Sequence, residues 1–286
     1  REEEFFYDTF RPAAVVKIKS GATKDGKLVL WDYNVYYAGD LGAQQFYKVP
    51  NHRTTSVGSP FGGASPHPFA TGPWRAPGNN TNTFARESQI DIMAAHTKTD
   101  PLEFRLKNLT DERMIRILKA AADKFDWTSE PAPSGRGVGI ACGIDADTYV
   151  ATIAEVEVDK GTGRVQVKRV VCAQDMGLSV NPEGARIQME GCATMGLGYA
   201  LTEDVRFRGG KILERNFDTY RIPRFTNLPK IETVILDLKD QPAHGGGEPA
   251  IICMGAVIAN AVFDATGSRV FQLPISQERV RNAMTS

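Results

Sequence analysis

Apolar and polar residues alternate most regularly between Val150 and Val171. Val150, Ala154, Val156 and Val158 share one parity, with Glu155 and Glu157 between them. This period of two predicts a strand with one covered face. Asp159-Lys160-Gly161-Thr162-Gly163 supplies a turn, and Val165, Val167 and Val171 continue on a return strand, so the pattern predicts a hairpin. A first hairpin is predicted from Ala14 to Tyr37, turning at Lys24-Asp25-Gly26-Lys27. Helical spacing appears from Glu87 to His96, with Ile90, Met93 and Ala94 on one face. A helix capped by Asp100 runs from Pro101 to Leu109, and another, capped by Asp111, carries Met114, Leu118, Ala121 and Phe125. Later elements are a helix over Pro182 to Leu201, a strand over Ile231 to Leu238 and a small-residue helix over Pro249 to Thr266, stopped by Gly267. Ser276 caps a terminal helix to about Met284. Gly39 to Asn82 reads as irregular, and Pro131 to Gly135 as a linker. The mixture is α+β, with hairpins packed on helices and a boundary between Leu109 and Gly135.

Composition narrows the functions. The 286 residues carry no formal net charge, which favours neither nucleic acid nor an anionic membrane as partner. The most apolar run, Ile251 to Phe263, falls short of the roughly 18 residues that span a bilayer. Cys142, Cys172, Cys192 and Cys253 form no CxxC, so they are expected to be reduced, buried thiols in a cytoplasmic protein without a signal peptide. His52, His67, His96 and His244 share no metal-ligand spacing.

Three segments carry chemistry. His244-Gly245-Gly246-Gly247-Glu248-Pro249-Ala250 places one carboxylate after three glycines and before a helix. Glycines allow close backbone approach to a ligand, and a fixed carboxylate suits a general base; a tight turn with a solvated Glu is the alternative. Trp74-Arg75-Ala76-Pro77-Gly78-Asn79-Asn80-Thr81-Asn82 offers a guanidinium, an aromatic ring and amides for a polar planar ligand, or else a self-satisfied structural turn. Asp175-Met176-Gly177, Asn181-Pro182, Gln188-Met189-Glu190-Gly191 and Met195-Gly196-Leu197-Gly198 form the third; close helix packing accounts for its glycines equally well.

Read in order, these segments resemble one family. TGPWRAPGNNTNTFARESQIDIMA (71–94), DPLEFRLKNL (100–109), AEVEVDKGTGRVQVKRVV (154–171), DMGLSVNPEGARIQMEGCATMGLGYALTED (175–204), NFDTYRIPRFTNLPKIE (216–232) and GGGEPAIICMGAVIANAVFDATGSRVFQLPIS (245–276) are similar to the molybdopterin-binding subunit of the xanthine dehydrogenase/aldehyde oxidase family. The resemblance implies the C-terminal part of a first molybdenum-cofactor-binding domain over 1–110 and a second such domain over 111–286. It implies hydroxylation of an electron-poor carbon of a purine, N-heterocycle or aldehyde, with oxygen from water and Glu248 as catalytic base. Gly246 and Gly247 match the loop beside the metal, and Trp74, Arg75 and Ala76 match a loop whose backbone contacts the molybdenum centre. Gln188 matches a Gln that hydrogen-bonds the pterin, and Gly196 and Gly198 a cofactor-proximal helix segment. The segment from Phe46 to Pro73 is expected on the substrate side, with Phe69 and Trp74 as substrate residues. The implied cofactor is molybdenum-molybdopterin in its cytosine dinucleotide form, with [2Fe-2S] clusters and FAD on other subunits. The family's GGGFGG and QGQG-type loops do not occur in the sequence. An N-terminal molybdenum-subunit chain, an iron-sulfur subunit and a FAD subunit are therefore expected partners, besides the small-molecule substrate. A non-catalytic scaffold or maturation protein on the same fold is the alternative; it would have no use for Glu248.

Overall fold

The computed structural model describes residues 3–61, 67–128 and 135–285; most of the expected linker, 131–134, lies outside them. After a short helix, α1 (Glu4–Tyr7), strands β1 (Val15–Ala22), β2 (Leu28–Tyr36) and β3 (Asn51–Val57) form one sheet. β1 and β2 are the predicted first hairpin, and its turn is closed by Thr23 N donating to Lys27 O at 2.8 Å. β3 pairs parallel to β2. It lies in the stretch read as irregular, because NHRTTSV is polar on both faces and carries no period-2 signal.

Three helices follow, α2 (Asn79–Thr97), α3 (Pro101–Lys107) and α4 (Glu112–Phe125). The caps are as the sequence indicates. Asp100 accepts from Leu102 N and Glu103 N at 2.9 and 3.0 Å, and Asp111 accepts from Arg113 N at 2.9 Å. The start of α2 corrects the sequence reading, which begins that helix at Glu87. Asn79, Asn80 and Asn82 stand in its first turn and are buried. Asn82 accepts from Tyr33 Oη at 2.7 Å and donates to Gly39 O and Leu41 O, so contacts made across the fold hold polar residues in helix.

The second sheet has the order β4 (Arg136–Asp145), β5 (Thr148–Asp159), β6 (Arg164–Asp175) and, after a long crossover, β9 (Lys230–Ile235), parallel to β6. The crossover holds α5 (Pro182–Leu201) and a two-residue-strand hairpin, β7 (Phe207–Arg208) and β8 (Lys211–Ile212). α6 (Met254–Thr266), ended by Gly267 at φ 75°, and α7 (Gln277–Thr285) complete the chain. The sheet separates two cores. Val150, Ala154 and Val156 face α5 and α6, while Ala151 and Ile153 belong to a core shared with Trp31 and Tyr33 of β2, Ile90 of α2 and Ile117 of α4. Only the far half of β5 shows the alternation, because α4 covers its near half on the opposite face. Residue 110 lies between α3 and α4, and the second core continues across that point from Phe104 to Met114.

α6 lies unusually close to β4. A Cβ at Gly137 would sit 2.2 Å from Ala261 O, and one at Gly139 2.2 Å from Val257 O. These glycines look like breakers in sequence, which conceals β4; in the structure they admit a helix backbone. Residues 249–266 reach a length and hydropathy that could cross a membrane, longer than the run recognised in the sequence. Of that segment 83% is buried inside the protein, as befits a core helix. All four cysteines are free and buried.

Candidate cofactor and active site

The loop before α6 is suspended by its carbonyl oxygens. Thr148 Oγ1 of β5 donates to Gly245 O at 2.8 Å, and Gln174 Nε2 of β6 donates to Gly246 O at 3.2 Å. Gly247 O accepts from Arg75 Nε at 3.1 Å, from Arg75 Nη2 and from Cys192 Sγ at 3.4 Å. His244 N donates to Met176 O at 2.9 Å, fixing the entry to the loop. In a trans peptide the N–H points opposite to the preceding C=O. Each N–H of Gly246, Gly247 and Glu248 therefore points away from the protein group that holds the carbonyl before it. None of those N–H groups donates to a described residue. A Cβ on Gly246 would meet Met176 Sδ at 2.7 Å, so the methionine would have to shift, whereas Gly247 faces nearly open space, with Gln188 Oε1 at 4.0 Å.

Glu248 follows at φ −115°, ψ −34°, and its carbonyl accepts from Ile251 N at 3.1 Å, starting a 3-10 turn over Pro249–Ile251. Its side chain is exposed, and its carboxylate accepts no hydrogen bond from a described residue. It stands near Asp145, at the end of β4. Asp145 is raised above the usual carboxylate range mainly by burial, and further by the charge of Glu248, against the hydrogen bond from Asn79 Nδ2 at 2.8 Å.

Arg75 organises the facing wall. Its Nη2 donates to Gln188 Oε1 at 2.7 Å, which leaves the Gln188 NH2 group as a donor on an exposed side chain. Asn80 Nδ2 holds the Arg75 carbonyl at 3.2 Å. Gln188, Cys192 and Met195 present one face of α5 to this wall, at the i, i+4, i+7 spacing of a helix. Burial pushes the Cys192 thiol up to about 11, with Arg75 pulling it partly back, so it remains a neutral S–H donor.

Of the residues singled out in the sequence, the structure brings together Arg75, Gln188, Gly246, Gly247 and Glu248. The others lie elsewhere. Gly196 makes room for Met254, whose Cγ would be 2.3 Å from a Cβ, and Gly198 makes room for the Glu203 carboxylate, at 1.7 Å. At both positions the missing Cβ admits close packing within the protein. Ala76 is fully buried at φ 55°. Phe69 and Trp74 line a cavity to which no residue of the 244–250 loop contributes. The sequence reading missed Asp145, Thr148, Gln174 and Cys192. The pairing of β4, β5 and β6 assembles the first three, and the only local signal was the i, i+4 spacing of Gln188 and Cys192.

The donor set here is amide N–H, carboxamide and one carboxylate. Among the described residues no three His, Cys, Asp or Glu are grouped to hold a metal. Such a set fits a metal carried by its own organic chelate, and Gln174 Oε1, buried beside the loop without a partner, is a further free acceptor.

Comparison with known proteins decides the family. Two models described as molybdopterin cofactor-binding domains match residues 1–109 and 120–229. The chain belongs to the molybdopterin cofactor-binding family. Over 99% of its length it is 32% identical to a nicotinate dehydrogenase subunit of Pseudomonas putida, covering 27% of that protein. It is also 32% identical, over 67% of its length, to the beta subunit of isoquinoline 1-oxidoreductase of Brevundimonas diminuta, covering 25% of it. The chain thus spans about a quarter of these relatives. The fold is shared with quinoline 2-oxidoreductase from Pseudomonas putida 86, at a TM-score of 0.87 and 12% identity over 100% of this chain and 64% of that one. It is also shared with Cu,Mo-CO dehydrogenase, at 0.85 and 13% over 99% of this chain and 63% of that one.

Proposed function

We propose that this chain forms one wall of the active site of a molybdenum hydroxylase, with Glu248 as its general base. The observation that carries the reading is the suspended loop. Its carbonyls are tied to the protein, while the N–H groups of Gly246, Gly247 and Glu248 and the Glu248 carboxylate have no hydrogen-bond partner among the described residues. A bound molybdenum–molybdopterin supplies the two-electron oxidation. The protein supplies position and proton transfer. The N–H groups of Gly246 and Gly247 and the Gln188 amide hold the cofactor's polar edge, Arg75 fixes both, and Glu248 receives a proton from the water-derived nucleophile on a carboxylate oxygen. The names of the relatives that act on nicotinate and isoquinoline support an electron-poor N-heteroaromatic substrate; aldehydes are the second class.

The finer reading extends the resemblance. The cofactor is the cytosine dinucleotide form. The rest of the pocket comes from the additional molybdenum-subunit polypeptide that the longer relatives contain. [2Fe-2S] clusters and FAD reside on other subunits, and the assembly is cytoplasmic.

The test uses the complex isolated with its co-purifying chains. Molybdenum and organic cofactor are quantified, and the wild type is assayed beside Glu248→Gln on N-heterocycles and aldehydes. Retained molybdenum with lost turnover supports the reading. A complex without molybdenum replaces it with a scaffold role, and a variant with normal turnover removes Glu248 as the base.

A further inference from the structure

Trp74, next to Arg75 in the chain, lines a cavity of ≈ 720 Å³ to which the Glu248 loop does not contribute. Its volume falls within the range of about 300–1,000 Å³ common for small-molecule sites. Phe69, Trp74, Tyr199, Phe207, Phe271 and Leu273 give it aromatic and apolar walls. Phe69 stands edge-on to Phe207 with ring centroids 5.3 Å apart, and Trp74 edge-on to Tyr199 at 5.6 Å, so the walls are built from interlocked rings.

One cation is set into this wall. The Arg11 guanidinium lies over Trp74 and Tyr199, 5.4 and 5.1 Å from their centroids. Ring faces hold the flat of the cation but offer nothing to its N–H edge. Arg11 Nη1 is buried with no hydrogen-bond partner, and no carboxylate among the described residues comes within ion-pair distance of the guanidinium. Asp204 and Glu203 also line the cavity, and Arg11 feels the charge of Glu203 from beyond ion-pair distance. Tyr220 Oη donates to Glu203 Oε2 at 2.7 Å, and its Oε1 is seated against Gly198. Ser88 Oγ, from another part of the same wall, is also buried and unpartnered. Burial lowers the Arg11 pKa despite the attraction of Glu203, so the cation is only partly compensated, and an incoming anion offsets the rest of that cost. An anion bearing a planar ring would satisfy the cation and the aromatic walls together.

We infer that this cavity is a binding site for an aromatic or heteroaromatic carboxylate, whose anion pairs with Arg11 and whose ring lies among Phe69, Phe207 and Phe271. It is separate from the Glu248 loop and does not require Glu248 to be the base.

The experiment is a 19F NMR titration of 4-fluorobenzoate into the purified complex, with 4-fluorobenzamide as a neutral probe of the same shape. Saturable binding of the benzoate is expected, at least about tenfold tighter than binding of the amide, and at least about tenfold weaker in Arg11→Gln. Phe271→Ala alters a side chain 73% exposed at the rim, so the fold survives, and binding is expected to weaken severalfold. If Arg11→Gln does not fold, the benzoate-amide comparison and Phe271→Ala still decide. Absence of saturable binding, equal affinity for the two probes, or unchanged affinity in both variants would overturn the inference.

Discussion

Arg75 and Gly247 are 172 positions apart in sequence, and the Arg75 guanidinium clasps the Gly247 carbonyl through Nε at 3.1 Å and through Nη2. That clasp joins the segment leading into α2 to the loop leading into α6.

Arg75→Lys is expected to release the loop. A lysine is a single point of donation and cannot hold both Gly247 O and Gln188 Oε1. Charge-assisted hydrogen bonds contribute about 1.5–3 kcal/mol each when sheltered; with Arg75 half exposed, the expected loss of stability is nearer 1–2 kcal/mol. Molybdenum per complex should fall severalfold, read by metal analysis beside a urea melt. Full molybdenum occupancy in this variant would mean that the clasp does not shape the pocket.

For Glu248→Gln the expectation is a fall in kcat of about 10² to 10⁴. The side chain has no structural hydrogen bond to lose, so the melting curve and molybdenum content should match the wild type. A stability change as large as the activity change would reassign Glu248 to a structural role.

Glu87 is fully buried and gathers several donors: Arg105 Nε at 3.0 Å, Cys142 N at 3.2 Å and Tyr47 Oη at 3.1 and 3.2 Å from its two oxygens. Burial is the largest influence and lowers the Arg105 pKa, but Glu87, followed by Tyr47 and Asp91, together outweigh it and the pKa is raised. Glu87→Gln leaves that guanidinium short of counter-charge in the core. The expected cost is about 3–5 kcal/mol, seen as a lower urea midpoint. An unchanged midpoint would show that Asp91, 3.8 Å from Arg105, suffices alone.

Two carboxylates should respond to pH in opposite senses. Asp145 is raised, so the folded state holds its proton more tightly than the unfolded state. Its contribution is fully present below the ordinary value of about 3.9 and is lost as pH rises through the folded value. Asp145→Asn should therefore leave stability at pH 4 nearly unchanged and increase it at pH 7. Glu232 is lowered to about 2, chiefly by Arg169, whose Nε donates to it at 2.7 Å. Its contribution is present above the ordinary value of about 4.3 and is lost as pH falls toward 2, and Glu232→Gln should remove that acid sensitivity. Urea melts across pH 2–8 separate the two.

The sequence shows best what neighbours in the chain determine. Asp100, Asp111 and Ser276 cap helices within three residues of themselves, and each is legible. β4 is not legible, because Gly137 and Gly139 serve α6, more than a hundred residues away. The first turn of α2 is hidden for a similar reason, since Asn79 and Asn82 are satisfied by Ile144 O, Asp145, Gly39 O and Leu41 O. In the site, the GGGEP segment and Arg75 stand out by residue type. Thr148 and Gln174 are ordinary strand residues whose role exists only once β5 and β6 pair and the loop settles over them.

The N–H groups of Gly246, Gly247 and Glu248, which have no partner among the described residues, do not titrate. Their attraction for an anionic ligand is therefore the same in mild acid as in mild alkali, and they take no proton from Glu248. Grip and proton transfer are carried by different kinds of group. Loss of the Glu248 carboxylate should consequently appear in turnover, while the backbone's hold on an anionic ligand stays as it was.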